Sequence, residues 1–249
     1  MSDDVKVKVS HMTKKFGDLL VLNDISFDVK KGEFLCVVGP TGCGKTTFLN
    51  CLTKLKAYEL TGGEILINGE PVDLQKHNIA YIFQEYSSFP WATVEENVAY
   101  GLKVKKRPAA EIKKQVDEML ELVGLTEYRN YYPGQLSASM LQRVSIARAF
   151  AVQPELLLMD EPYGQLDNSL RYKLEDELIQ LWQRTGTTVI FITHNIEEAV
   201  YLSERILVLT NKPTGIKKEI KNDLPRPRDV TDAAFNELRD EVTDLIKWW

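Results

Sequence analysis

The chain has 249 residues, 44% hydrophobic and 27% charged, a balance that fits one large globular domain or a core with a subdomain and excludes disordered, collagen-like and disulfide-scaffold chains. Its net charge of −5 leaves no basic footprint, so nucleic acid is not an expected partner. No apolar run exceeds five residues, against the roughly 20 that a membrane-spanning helix needs. The start, MSDDVKVKVS, lacks the apolar segment of a secretory signal, and Cys36, Cys43 and Cys51 are odd in number and lack zinc-ligand spacing; a reducing cytosol is the expected compartment.

Short apolar runs alternate with stretches of helical period, which predicts an α/β fold with a largely parallel sheet. Val5 to Val9 and Ile25 to Val29 alternate at period two, and Gly62, Gly63 and Asn68-Gly69 bracket a strand at Glu64 to Ile67. Together they predict an N-terminal antiparallel β subdomain. Phe34 to Val38 reads as a buried strand, followed by a helix with Phe48, Leu49, Leu52 and Leu55 on one face. Ile112, Val116, Met119, Leu120 and Val123 predict an amphipathic helix ended by Gly124, within an α-helical insertion. Strands at Leu156 to Met159, Thr188 to Thr193 and Ile206 to Leu209 enclose a helix from Ser169 to Arg184. DLPRPRD reads as a stiff linker, and Phe235, Leu238, Val242 and Leu245 form one stripe of a terminal helix expected to dock on the core. The basic cluster Lys103, Lys105, Lys106 and Arg107 reads as a solvated face.

The strongest motif is Gly39-Pro40-Thr41-Gly42-Cys43-Gly44-Lys45-Thr46, a full match to G-x-x-x-x-G-K-[ST] between a strand and a helix. Such a P-loop turns backbone N–H groups around a β-phosphate, sends Lys45 to the β and γ oxygens and uses Thr46 to ligate Mg²⁺. Cys43, beside Lys45 and at a helix N-terminus, is expected to be a reactive thiolate. A second motif, Leu156-Leu-Leu-Met-Asp160-Glu161, is an apolar strand tipped by two carboxylates. Asp160 is placed to hold Mg²⁺ through its water shell, and Glu161 to accept a proton from the water that attacks the γ-phosphate.

Between these motifs stands YPGQLSASMLQRVSIARA from Tyr132 to Ala149, which resembles the LSGGQ signature and following helix of the ATP-binding cassette ATPases. The resemblance covers nearly the whole chain. It implies a P-loop NTPase core at 1–88 and 153–221, with the β subdomain in its first part, a helical signature subdomain at 89–152, and a linker and helix at 222–249. Gln84 is similar to the family's Q-loop glutamine, Gly164 to Asp167 to its D-loop, His194 to its switch histidine and Phe16 to the aromatic that stacks on adenine. The implied nucleotide contacts run from Gly39 to Thr47 and include Phe16. Ser137, Ser139 and Asp167 are added across a head-to-tail dimer, in which ATP lies between one subunit's P-loop and the other's signature. The resemblance makes Gln84 a sensor of Mg²⁺ or the attacking water, and gives His194 a hydrogen bond to the γ-phosphate. Where the family has two glycines, this chain has Ala138 and Ser139, each expected to cost about 1 kcal/mol if a positive φ is required there and so to weaken the site without abolishing it.

One cassette resembles the separate ATPase subunit of an importer, bound to permease chains at the cytoplasmic face of the membrane and served indirectly by a solute-binding protein. FQEYSSFPWATVEENVAYGL and the GIKKEIKNDLPRPRD tail are similar to the ATPases of nitrate, sulfonate and taurine type importers. A soluble cassette without transport, a regulatory module with weak hydrolysis, and pairing with a second, different cassette remain as alternatives.

Overall fold

A computed structural model describes residues 4–164, 166 and 168–247. In chain order its first elements are strands β1 (Val5–Phe16), β2 (Leu19–Lys30) and β3 (Phe34–Val38), helix α1 (Lys45–Cys51), and strands β4 (Gly62–Ile67), β5 (Glu70–Pro71) and β6 (Ile79–Ile82). Helices α2 (Val94–Val104), α3 (Ala109–Leu122) and α4 (Ala138–Ala151) lead to strand β7 (Leu156–Asp160) and helix α5 (Asn168–Thr185). The chain ends with strand β8 (Thr188–Ile192), helix α6 (Ile196–Leu202), strands β9 (Arg205–Leu209) and β10 (Ile216–Lys221), and helix α7 (Ala233–Ile246). The fold is mixed α/β, and it divides into two compact units: one runs to His77 and resumes at Thr188, the other is Asn78–Thr187.

In the first unit, β2, β1, β4 and β5 form an antiparallel sheet in that order. Asn68 and Gly69 both have positive φ, 53° and 82°, the pairing a two-residue hairpin turn demands. Five consecutive buried residues make β3, which pairs in parallel with β8 and β9, while β10 closes this group antiparallel to β9. Burial on both faces explains why β3, β8 and β9 read as apolar runs. Phe27 stacks on Phe48 of α1, with ring centroids 5.3 Å apart.

Three expectations change in this unit. Leu55 does not share the α1 face: the helix closes at Leu52, Lys54 takes a positive φ of 54°, and Leu55 is left 50% exposed. DLPRPRD is not a spacer, since Arg228 is only 9% exposed and folded against α6. In α7, which packs on α6 and β9, Phe235 and Val242 are fully buried but Leu238 and Leu245 only half so.

In the second unit, β6 and β7 pair in parallel, and α2 and α3 pack on α4. Helix α4 is buried around most of its circumference, including Gln142, Val144, Ala147 and Phe150, so it shows no amphipathic stripe. Gly124, with φ +65°, stands just beyond the end of α3, as its sequence position suggests. Among the described residues no helix is long and apolar enough to cross a membrane.

Gly63 shows how tightly the antiparallel sheet is built. Its φ is +83°, and a Cβ there would lie 2.3 Å from the His11 carbonyl oxygen, against nothing within 4 Å at Gly17. Gly63→Ala is expected to cost about 2 kcal/mol or more and Gly17→Ala about 1 kcal/mol. Urea unfolding of the two variants checks the difference.

Candidate nucleotide site

The buried strand β3 delivers the chain to Gly39, where a side chain has no room: a Cβ would meet Leu209 Cβ at 3.0 Å and Cys43 Sγ at 3.1 Å. Gly42 and Gly44 then take φ of +75° and +116°, and a Cβ on Gly44 would sit 2.9 Å from Val21 Cγ1. Among the described residues the N–H groups of Gly42 and Gly44 meet no protein acceptor. Left-handed glycines with open N–H groups ahead of a helix make an anion cradle of the kind that binds phosphate. Pro40 is half-buried; Thr41 and Thr46 are exposed and Thr47 is half-buried, with Thr46 and Thr47 in the first turn of α1. Lys45 Nζ donates to the carbonyls of Gly39, at 3.0 Å, and Pro40, at 3.2 Å, so the ammonium is already held against the loop.

Thr214, absent from the sequence reading, fastens this loop. Its hydroxyl donates to the Cys43 carbonyl, its N–H donates to Val21 O at 2.8 Å, and its own carbonyl accepts from Asn23 N–H at 2.8 Å. A threonine 171 residues from Cys43 carries no local signal of that role. Cys43 itself departs from expectation: it is 2% exposed, and burial pushes its thiol above the ordinary cysteine range despite the opposing pull of Lys45. Desolvation outweighs the positive neighbours, so the side chain is a packed thiol rather than a reactive thiolate.

In the same unit Phe16 ends β1, 41% exposed, with Lys14 Nζ over its ring at 4.7 Å and Tyr58 edge-on at 6.0 Å. Lys14 is tied by hydrogen bonds to the carbonyls of Ala57, at 2.9 Å, and Glu59, at 2.7 Å. A half-exposed ring braced this way offers a stacking surface for a base. His194 is exposed beyond β8 and just ahead of α6, whose N-cap Asn195 accepts from Glu198 N–H at 3.3 Å and donates its own N–H to Thr193 Oγ1 at 2.9 Å.

In the second unit, Asp160 ends the fully buried β7 at 5% exposure, and the Tyr81 hydroxyl donates to its Oδ2 at 3.4 Å. Glu161 turns out of the strand with φ +44°, a left-handed conformation that costs a non-glycine residue about 1 kcal/mol or more. Tyr163, 1% exposed, anchors the exit by donating to the Leu174 carbonyl at 3.4 Å. Gln84 is exposed in the segment after β6. Ser137 caps α4, accepting from Met140 N–H at 3.3 Å, and Ala138 and half-buried Ser139 are already helical with negative φ. A Cβ at these two positions therefore meets no backbone penalty. Asp167 lies outside the described residues. Gly39 to Thr47, Phe16 and His194 belong to one unit, and Gln84, Ser137, Ser139, Asp160 and Glu161 to the other.

The sequence profile of the ABC transporter family matches residues 22–164, more than half of the chain. The chain belongs to the ABC transporter ATPases. An uncharacterized ABC transporter ATP-binding protein of Methanocaldococcus jannaschii is 42% identical over 98% of this cassette and 92% of its own length. An aliphatic sulfonates import ATP-binding protein of Bacillus cereus is 42% identical over 96% of the cassette and 93% of its own length. Among solved structures, the cassette resembles a Clostridium perfringens subunit described as part of an ABC transporter complex, with a TM-score of 0.78 and 26% identity over 88% of this chain and 89% of that one. A dimeric bacterial ABC transporter cassette matches at 0.76 and 32% identity, over 88% of this chain and all of the other, and a second structure of that cassette holds ADP and phosphate. The cassette thus binds ATP and hydrolyses it.

Two outcomes follow from the site geometry. Iodoacetamide should label Cys43 more slowly in the folded cassette than in urea, and its rate should keep rising at pH values where labelling of the unfolded chain has levelled off. Equal rates, followed by peptide mapping, would show an accessible thiolate. Ala138→Gly and Ser139→Gly should each lower stability by up to about 1 kcal/mol, because glycine is the poorer helix former, and neither should restore any missing turnover.

Proposed function

We propose that this cassette powers an importer of small organic anions of the sulfonate class, acting as a head-to-tail pair beside separate permease chains at the cytoplasmic face of the membrane. The observation that carries the proposal is the 42% identity, over almost the entire length of both chains, to a protein that imports aliphatic sulfonates. A solute-binding protein would deliver the anion from the other side.

An aromatic cluster in the segment that follows Gln84 in the chain supports a permease contact. Phe89 lies 4.5 Å from Tyr100 and 5.4 Å from Trp91 between ring centroids, with the Arg148 guanidinium 5.3 Å above it, and Trp91 is 75% exposed. The base of the cluster is rigid. Fully buried Asn97 accepts from Phe89 N–H at 2.7 Å and donates to the carbonyls of Phe89, Ala92 and Thr93. Arg148 donates to the Ser87 carbonyl and hydroxyl, both at 2.8 Å. An exposed aromatic on so fixed a base fits a protein partner better than open solvent.

In the proposed reaction Phe16 stacks on the base, the Gly39–Thr47 loop holds the phosphates, and Lys45 exchanges its two carbonyl acceptors for phosphate oxygens, a stronger charge-assisted pairing. Among the described residues no three His, Cys, Asp or Glu side chains form a ready-made metal cage. A hydroxyl and a carboxylate nevertheless suit Mg²⁺, which keeps much of its water and leans on substrate phosphates; Thr46, Gln84 and Asp160 would hold it, and it would neutralise phosphate charge. Glu161 accepts the proton of the attacking water, and His194 donates to the γ-phosphate. Ser137, Ser139 and the α4 N-terminus serve the γ-phosphate of the second copy, with Asp167 near that interface.

Glu161→Gln should leave ATP binding intact and slow turnover by about two orders of magnitude or more, measured as phosphate release against fluorescent-nucleotide affinity. Co-purification with membrane subunits, followed by ATP-dependent uptake of a labelled alkanesulfonate into vesicles, tests the transport role. Uptake of sulfate or nitrate in its place would reassign the solute.

A further inference from the structure

The segment after β10 does not behave as a tether. Helix α6 has seven residues, Ile196 to Leu202, and its last four free carbonyls belong to Val200, Tyr201, Leu202 and the C-cap Ser203. All four are answered from that segment. Arg228 Nη1 donates to Val200 O and Tyr201 O, each at 2.8 Å, and to Ser203 O at 2.7 Å. Arg226 donates to Tyr201 O at 3.2 Å and to Leu202 O, and Asn222 Nδ2 donates to Val200 O at 2.8 Å. Two guanidinium charges at a helix C-terminus also complement its dipole. Burial lowers the Arg228 pKa to about 10, which still leaves the group charged at neutral pH.

Covering the end of a seven-residue helix with two arginines is an expensive way to stop it fraying, because each guanidinium loses solvation. The other end of α6 gives the arrangement a purpose. The helix is roughly 10 Å long, and its N-cap Asn195 directly follows His194, with Asn195 N–H bonded to Thr193 Oγ1 at the end of β8. Asn195 is bonded to Thr193, just beyond β8, and the arginines hold the far end of α6, so a shift of the helix would act on the backbone that carries His194.

We propose that Arg226 and Arg228 are positioning residues for ATP hydrolysis, clamping the C-terminus of α6 so that His194 at its head is held for the γ-phosphate. The inference rests on the role given to His194 above. No contact between either arginine and nucleotide is required.

The test is a double-mutant cycle on the full cassette, with Arg226→Met and Arg228→Met each made alone and combined with His194→Ala. Each arginine variant should lower kcat about tenfold, the scale of a small displacement transmitted to a reacting group, with KM for ATP changed less than about twofold. In the His194→Ala background neither should lower kcat further. Arg226→Lys and Arg228→Lys, which keep the charge at the helix end, should recover part of the loss. Arg226 is half-buried where Arg228 is buried, so its cycle decides the matter if Arg228→Met does not fold. The imidazole NMR signals of His194 should move in Arg226→Met while those of His11 do not. Equal losses of kcat with and without His194 would overturn the clamp while leaving the role of His194 intact. Full turnover of His194→Ala alone would overturn that role and the clamp together.

Discussion

The first unit depends on a turn that has no room for a side chain at either end. At Gly39 the chain leaves the fully buried β3 under Leu209, and at Gly44 it enters α1 against Val21; a Cβ at either place would lie 2.9–3.0 Å from a neighbouring carbon, well inside van der Waals contact. Close packing and open N–H groups come from the same stretch of glycines. A loop that lies flat against β2 and β9 exposes N–H groups on its other side, and those groups suit an anion. Thr214, between β9 and β10, holds β2 and the loop together, so the cradle is set by packing before any nucleotide arrives.

A related economy governs the second unit. Because β7 is buried on both faces, carboxylates are tolerated only at its tip, and there Asp160 stays nearly buried beside the Tyr81 hydroxyl while Glu161 turns away in a strained conformation. The strain persists because Tyr163 is packed immediately afterwards. Asn97 does comparable work nearby: four hydrogen bonds from one buried amide shape the Phe89–Thr93 turn and leave Trp91 in solvent. Fully satisfied buried polar groups of this kind specify a single backbone path.

Elements with a strong local cause could be read before any coordinates. Burial on both faces of β3, β7, β8 and β9 left apolar runs with sharp ends, Gly124 marked the close of α3, and the Asn68-Gly69 turn needed only its two residues. Where a long-range contact decides, local pattern misled. Lys54 ends the α1 line short of Leu55 through a positive φ that no neighbouring residue announces. DLPRPRD has the composition of a spacer, yet its Arg228 is buried where α6 presents open carbonyls to it.

The candidate site divides along the same line. The amino-acid order alone singled out the candidate residues: a glycine pattern, a lysine, two carboxylates at a strand tip and a serine ahead of a helix, since each pattern lies within a few residues. Tertiary structure alone decided their condition. It turned Cys43 from an expected thiolate into a packed thiol, because desolvation by the surrounding core exceeds the pull of Lys45 and Lys212. It also made Ala138 and Ser139 harmless to the backbone, because α4 begins with them, and it brought Thr214 to Cys43 and Arg228 to α6. Burial, helix boundaries and contacts across tens or hundreds of residues are properties of the packed chain, and no short stretch of sequence contains them.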